Sequence, residues 1–125
     1  MANPNIVAVT SILGESTYLT PSDTAANVLL ANATSSGKVY KINQIVAANV
    51  DGASAVNTTV AINTTAAGGG TSYPIVSTVS VPADASLIVT DKTTAIYLME
   101  NKSIVVTSGT ASKIAYTISY EVISS

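Results

Sequence analysis

The fold is decided near the C-terminus, by the run Lys113-Ile114-Ala115-Tyr116-Thr117-Ile118-Ser119-Tyr120-Glu121-Val122. Large apolar or aromatic side chains occupy every even position of this run, and small or polar side chains occupy every odd position. Successive side chains of a β-strand point to opposite faces of its sheet, so a period of two indicates a strand with one buried face. The run therefore predicts a half-buried β-strand.

The same period predicts strands elsewhere in the chain. One predicted strand has a face made of Val56, Thr58, Val60 and Ile62, and another has a face made of Ile75, Val79 and Val81. The segment 38–50 is predicted to direct Tyr40, Ile42, Val46, Ala48 and Val50 to one side and to end at the turn Asp51-Gly52. Shorter strands are predicted at 6–13, 18–19, 27–31, 87–89, 95–99 and 103–107, with turns between them that include 14–16 and 68–70.

Eight to ten short strands at roughly ten-residue spacing are typical of an antiparallel sandwich. We therefore predict a single-domain, all-β protein, an antiparallel β-sandwich with a jelly-roll-like arrangement, over residues 14–125. Residues 1–13 are predicted to form an N-terminal arm or an edge strand. Their apolar side chains fall on both parities, which is expected of a segment that is covered on both faces.

The composition excludes several kinds of chemistry. The 125 residues include no His, no Cys and no Trp, and all five basic residues are Lys. Structural zinc sites, Ser-His-Asp triads, thiol nucleophiles and disulfides all need residues that are missing. We predict no catalytic, cofactor-binding or metal-binding residue, no cofactor and no enzymatic activity. A catalytic Ser–Lys pair stays open as an alternative, although no motif singles one out.

The net charge and the hydrophobic content indicate which kinds of partner the chain can bind. Seven acidic and five basic residues give a net charge of −2, and scattered Lys without Arg cannot supply the counterion release that drives nucleic-acid binding. No apolar run approaches a membrane span, and no signal peptide is expected. Only 10% of the residues are charged, against roughly 25% in ordinary soluble domains, while 47% are hydrophobic. We expect much of the surface to be covered by other protein.

Several residues have a possible chemical use and a simpler structural explanation. Asp51, Asp84, Asp91 and Glu100 all fall in predicted turns and are interpreted as turn formers. The triplet 68–70 is not followed by Lys-Ser or Lys-Thr, so it predicts a flexible hairpin tip and not a phosphate loop. No calcium-loop motif is present.

The tyrosines and the N-terminal apolar residues supply the predicted interface. Tyr40, Tyr116 and Tyr120 lie on apolar strand faces and are predicted to be core. Tyr18, Tyr73 and Tyr97 lie nearer turns and are available to an interface or to a glycan. The predicted interface residues are Ile6, Val7, Val9, Ile12, Leu13, Tyr18 and Tyr73.

Five blocks carry a resemblance to a known class of protein. They are residues 45–52, 59–62, 77–87, 96–104 and 116–121, within a match that spans about 38 to 122. In these strand-and-turn signatures the chain resembles small all-β virion proteins of tailed bacteriophages, especially those of cyanobacterial hosts. The resemblance implies a structural role, as a capsid decoration (cement) protein or as a neck, tail or fibre component. It implies no enzyme activity and no cofactor, and it carries over no functional residue.

Two hypotheses follow from the residues and the resemblance. In the first, the chain is a virion protein assembled in the host cytoplasm. It binds copies of itself, with a trimer favoured, and it binds the major capsid protein or other virion proteins. In the second, the sandwich is a receptor- or glycan-binding module that uses the loops 64–73 and 51–56. Sparse aromatic and charged residues in those loops count against the second hypothesis.

Overall fold

The structure is a computed structural model that describes residues 4–124. Over this range the chain forms nine β-strands and one short 3-10 helix. The strands are β1 (Ser11–Leu19), β2 (Asn27–Asn32), β3 (Lys38–Asn49), β4 (Val56–Asn63), β5 (Ser72–Val81), β6 (Ser86–Thr90), β7 (Ile96–Leu98), β8 (Lys102–Ser108) and β9 (Ile114–Ser124). The 3-10 helix, Lys92–Thr94, separates β6 from β7.

The strands form two antiparallel sheets. Sheet A has the order β1-β9-β3-β6, and sheet B has the order β2-β8-β4-β5. β7 also belongs to sheet A, because it pairs with residues 40–42 of β3, whereas β6 pairs with residues 45–48 of the same strand. All strand pairs are antiparallel, and the chain crosses repeatedly from one sheet to the other. This order is that of a jelly roll in which β6 and β7 share one strand position. The predicted all-β antiparallel sandwich is confirmed.

β9 is an inner strand of sheet A. It pairs with β1 on one side and with β3 on the other. Its even-numbered residues point between the sheets and belong to the hydrophobic core, as the period of two predicts: Ile114, Tyr116, Ile118, Tyr120 and Val122. Tyr40 packs against this core, and its ring centroid lies 5.3 Å from that of Tyr120. The predicted core role of these three tyrosines is confirmed.

The predicted inward face of segment 38–50 is correct up to Ile42 and wrong beyond it. The register of β3 against β9 shifts between Ile42 and Gln44, so that Asn43 is an extra residue. A β-bulge of this kind reverses which residues face the core. Ile45 and Ala47 are therefore buried in the core, while Val46 and Ala48 point to the outside of sheet A.

The predicted strand 6–13 and the predicted turn 14–16 are also wrong. Residues Ser11–Leu19 form one strand, and all nine pair with β9 without interruption. Gly14 lies opposite Glu121 in this ladder, so strand pairing overrides the turn preference of glycine. The expected boundary between an arm, 1–13, and a sandwich, 14–125, falls inside β1. Residues 1–3 and 125 of those two segments lie outside the described residues.

Three buried polar side chains join the two sheets. Asn32 of sheet B donates from Nδ2 to the carbonyl oxygens of Lys38 (2.9 Å) and Leu98 (3.0 Å) in sheet A. Asn49 of sheet A donates to the carbonyl oxygen of Val81 in sheet B at 2.9 Å. Between these two asparagines, the hydroxyl of Tyr116 bonds to partners in sheet B.

The Tyr116 hydroxyl has two partners, the hydroxyl of Thr58 and the carbonyl oxygen of Thr107, to which it donates at 3.0 Å. Tyr116 and Thr58 are almost completely buried. Burial raises the pKa of the Tyr116 hydroxyl above its ordinary value, and the hydrogen bond with Thr58 opposes this shift. Because a buried polar group without a partner is costly, these bonds specify how the sheets stack.

The substitution Tyr116→Phe is predicted to lower the free energy of unfolding by about 1–3 kcal/mol, because it leaves the Thr58 hydroxyl without its buried partner. Denaturant unfolding followed by circular dichroism measures the change. The matched control is Tyr18→Phe, which removes a hydroxyl from a side chain that is 79% exposed. Equal stability of the two variants would contradict a bridging role for Tyr116.

Candidate functional site

The outer face of sheet B is partly covered by the loop between β4 and β5, residues 64–71. Ala61 and Val105 lie opposite each other in sheet B and are buried, although neither belongs to the core between the sheets. Gly68, in the loop, is close enough that an added Cβ would meet Val28 and Val105 side chains at 2.9 and 3.4 Å. The loop therefore packs on this face.

Asn63, the last residue of β4, holds loop 64–71 in place. Its Nδ2 donates to the carbonyl oxygens of Gly68 (3.1 Å) and Gly70 (3.2 Å), and its Oδ1 accepts from the N–H groups of Thr65 and Gly70 (3.0 Å each). Residues 68–70 lie in the loop of the β4–β5 hairpin, as predicted, and the flexibility predicted for them stays a prediction. Their amides are engaged within the loop, and an anion-binding loop needs amides that point at a ligand.

The N-terminal residues cover part of the outer face of sheet A. Val39 and Ile123 are opposite each other in register and are buried, but they lie outside the core between the sheets. Beside Val39, an apolar groove of about 190 Å³ is lined by Pro4, Ile6, Tyr97 and Met99. Segment 4–10 thus shields this end of sheet A, and the Thr10 amide bonds to the Ser124 carbonyl oxygen at 2.9 Å.

The rest of the outer face of sheet A carries a row of three apolar residues and one threonine. The register places Tyr18 opposite Thr117, Thr117 opposite Val46, and Val46 opposite Ile88, so that one line of side chains crosses all four strand positions. Tyr18 and Ile88 are 79% and 58% exposed. We call these four residues the outer row. On the next line, Ala115 lies opposite Ala48, and Ala48 lies opposite Ser86.

The predicted interface residues fall into two regions. Ile6, Val7 and Val9 lie in segment 4–10, and Ile12, Leu13 and Tyr18 lie on β1, whereas Tyr73 lies on β5 at the edge of the other sheet. Val9 is half-buried, and the other six are exposed. The structure therefore places six of them in segment 4–10 and on β1, where Leu13 points to the opposite face from Ile12 and Tyr18, and it separates Tyr73 from them.

Sequence reasoning missed two members of the outer row. Val46 was predicted to face the core, because the bulge at Asn43 has no signature in the periodicity. Ile88 lies in a predicted strand of three apolar residues, which gives no indication of which face is buried. Its outward direction follows only from pairing with Val46.

Two of the four carboxylates interpreted as turn formers, Asp51 and Asp91, form hydrogen bonds within turns. Asp51 accepts hydrogen bonds from the amides of Ala53 and Ser54, and the Ala53 bond is the main cause of its lowered pKa. Asp91 caps the 3-10 helix, and hydrogen bonds from Thr93 lower its pKa. Among residues 4–124, no three His, Cys, Asp or Glu side chains are grouped so that they could hold a metal ion.

The described chain is thus a jelly-roll sandwich that carries the outer row on the outward face of sheet A. Within residues 4–124, no helix has the length and apolarity to cross a membrane. No protein-family model matches the sequence, and no curated protein matches it.

Two solved structures are similar to this chain at low TM-scores. One is a chain of Bacillus endospore appendages, described as a novel family of disulfide-linked pili, with 15% identity and a TM-score of 0.49 over 92% of this chain and 88% of that chain. The other belongs to infectious bursal disease virus strain Gx, with 9% identity and a TM-score of 0.44 over 90% of this chain and 33% of that chain. At such scores neither likeness shows a family or a function.

Removal of residues 1–10 is predicted to leave a folded sandwich, because the core residues and the β1–β9 pairs stay intact. It would uncover Val39 and Ile123 and lower the free energy of unfolding by about 1–3 kcal/mol. Binding of the dye ANS and denaturant unfolding report the two effects. Removal of residues 1–3 alone, which keeps Pro4 and Ile6, is the control. Unchanged stability and dye binding after the longer deletion would contradict the covering role.

Proposed function

We propose that the chain is a non-enzymatic structural protein of a phage virion, a head decoration protein that binds the capsid surface. The observation that carries the proposal is the outer row, in which the exposed side chains of Tyr18 and Ile88 lie on one line across a sheet face with Thr117 and the half-buried Val46. The phage assignment rests on the resemblance of the strand-and-turn blocks, and its alternative is a neck, tail or fibre component. The partners under this proposal are copies of the chain and the major capsid protein.

The outer face of sheet A has the properties of a binding surface. Two exposed apolar side chains, Tyr18 and Ile88, lie on one line with the half-buried Val46, and exposed apolar area on a folded domain marks interaction sites. Around the outer row the neighbours Ala48, Ala115 and Ser86 are small, so the face is level enough to lie against another protein. Apolar burial there would contribute roughly 25 cal/mol per Å² of apolar area.

Segment 4–10 serves as a short arm in the proposal, at the other end of the outer face of sheet A. Val7 is 91% exposed at its tip, and Ile6 is 53% exposed beside the groove at Tyr97 and Met99. Two of its hydrogen bonds are local, from the amides of Val7 and Ala8 to Asn5. The arm therefore presents apolar side chains at the end of the outer face near Ile123, six residues along β9 from Thr117 of the outer row.

The substitution Ile88→Ser is predicted to weaken binding to particles assembled without the protein by about tenfold, because it removes one apolar anchor from the outer row. Co-sedimentation of the purified variant with such particles measures the loss. Val50→Ser is the matched control, since Val50 is similarly exposed but lies in the loop after β3.

Equal binding by the Ile88 and Val50 variants would refute the outer row as the capsid-binding surface. Binding of the isolated protein to a glycan array, combined with no binding to particles, would instead favour the receptor- or glycan-binding module. Circular dichroism confirms that each variant is folded before the comparison is made.

A further inference from the structure

Each sheet of the sandwich has two edge positions whose outward N–H and C=O groups have no strand beside them, and three of the four carry features that discourage further pairing. Sheet B ends at β5, which contains Pro74, and at β2, whose register against β8 shifts after Val28. The β6–β7 edge of sheet A is interrupted by the 3-10 helix Lys92–Thr94. Proline, bulges and short strands are the usual means by which proteins block edge-to-edge association.

The fourth edge, β1, has none of these features. Its nine residues, Ser11–Leu19, pair with β9 without a register shift, and they include no proline and no lysine. Glu15 is the one charged residue on the strand. Ile12, Leu13 and Tyr18 are each more than half exposed. β1 is therefore a long, regular and mostly uncharged edge, which is the type that pairs with another strand.

We propose that β1 pairs antiparallel with β1 of a second copy of the chain, across a two-fold axis at Ser16, so that two A sheets become one. This inference rests on the self-association included in the proposed function and specifies its geometry. A two-fold axis perpendicular to the sheet makes the contact self-complementary. It also places residues of the same face opposite each other, so the possible registers differ by steps of two residues.

The charge of Glu15 selects among these registers. An axis at Glu15 would set this carboxylate directly opposite Glu15 of the partner subunit, and like charges in that position destabilise a strand pair. An axis at Gly14 would set Leu13 opposite the same carboxylate. With the axis at Ser16, Glu15 lies opposite Thr17 of the partner subunit, and Leu13 lies opposite Leu19 of the partner subunit.

Gly14 provides the second argument for this register. No atom lies within 4 Å of where a Cβ would stand on Gly14, and a shallow hollow of about 430 Å³ opens there between Ser16 and Glu121. The axis at Ser16 places Tyr18 of the partner subunit opposite Gly14, on the outer face. An aromatic side chain opposite an edge glycine covers its bare backbone and stabilises the pair. The exposed ring of Tyr18 and the space at Gly14 are thus complementary.

The test uses the substitution Ser16→Cys, which introduces the sole thiol because the chain has no cysteine. Opposed residues of an antiparallel pair have Cα atoms about 4.5–5.5 Å apart, which suits a disulfide. Mild oxidation at micromolar protein is expected to give a covalent dimer at least tenfold faster than for Ser77→Cys. Ser77 is an exposed control on the β5 edge, so its rate measures random collision.

A second measurement uses the unmodified chain. Hydrogen exchange of the β1 amides is expected to slow as the protein concentration rises, while the amides of β5 show no such change. Dimer formation by Ser16→Cys that is no faster than by Ser77→Cys, or exchange in β1 that is independent of concentration, would overturn the strand pairing.

The mass of the complex in light scattering separates this inference from the proposed function. A trimer without the Ser16→Cys dimer would overturn the two-fold pairing, agree with the trimer expected from the sequence and leave the proposed function standing. A monomer that also fails to bind particles would remove the proposed function itself.

Discussion

The position of β9 between β1 and β3 is the constraint on which the rest of the molecule depends. Its even-numbered side chains fill the core, and one of them, Tyr116, carries a hydroxyl that must find partners in sheet B. Side chains of β1 and β3 point to the same face of the sheet as the β9 residues opposite them, because opposed residues in an antiparallel pair share a face. The alternation of β9 thereby decides which side chains of sheet A point outward.

Those outward side chains lead to the functional conclusion. Loop 64–71 packs on sheet B, and segment 4–10 covers one end of sheet A, so each covers apolar residues that the core leaves outside. The outer row and the β1 edge have no such cover in the described part of the chain. A domain with so few charged residues gains solubility and stability when these surfaces meet other subunits. The proposed role as an assembly subunit accounts for both the composition and the surface.

Much of the fold could be predicted from the sequence, because strict alternation in residues 113–122 and turn residues between short runs are local signals. The bulge at Asn43 and the pairing of Gly14 could not, since both are set by β9 and not by their neighbours in sequence. The same limit applied to the site. Ile6 and Ile12 were predicted from local apolarity and Tyr18 from its place near a predicted turn, whereas Val46 and Ile88 join Tyr18 only through strand pairing.

The most direct test of the central claim is a cryo-electron microscopy reconstruction of the intact particle at a resolution that shows strands. If the protein is a decoration subunit that binds through sheet A, its density lies on the head with the outer row facing the capsid. The claim would be contradicted by density on the particle in which Tyr18 and Ile88 face solvent and sheet B makes the contact.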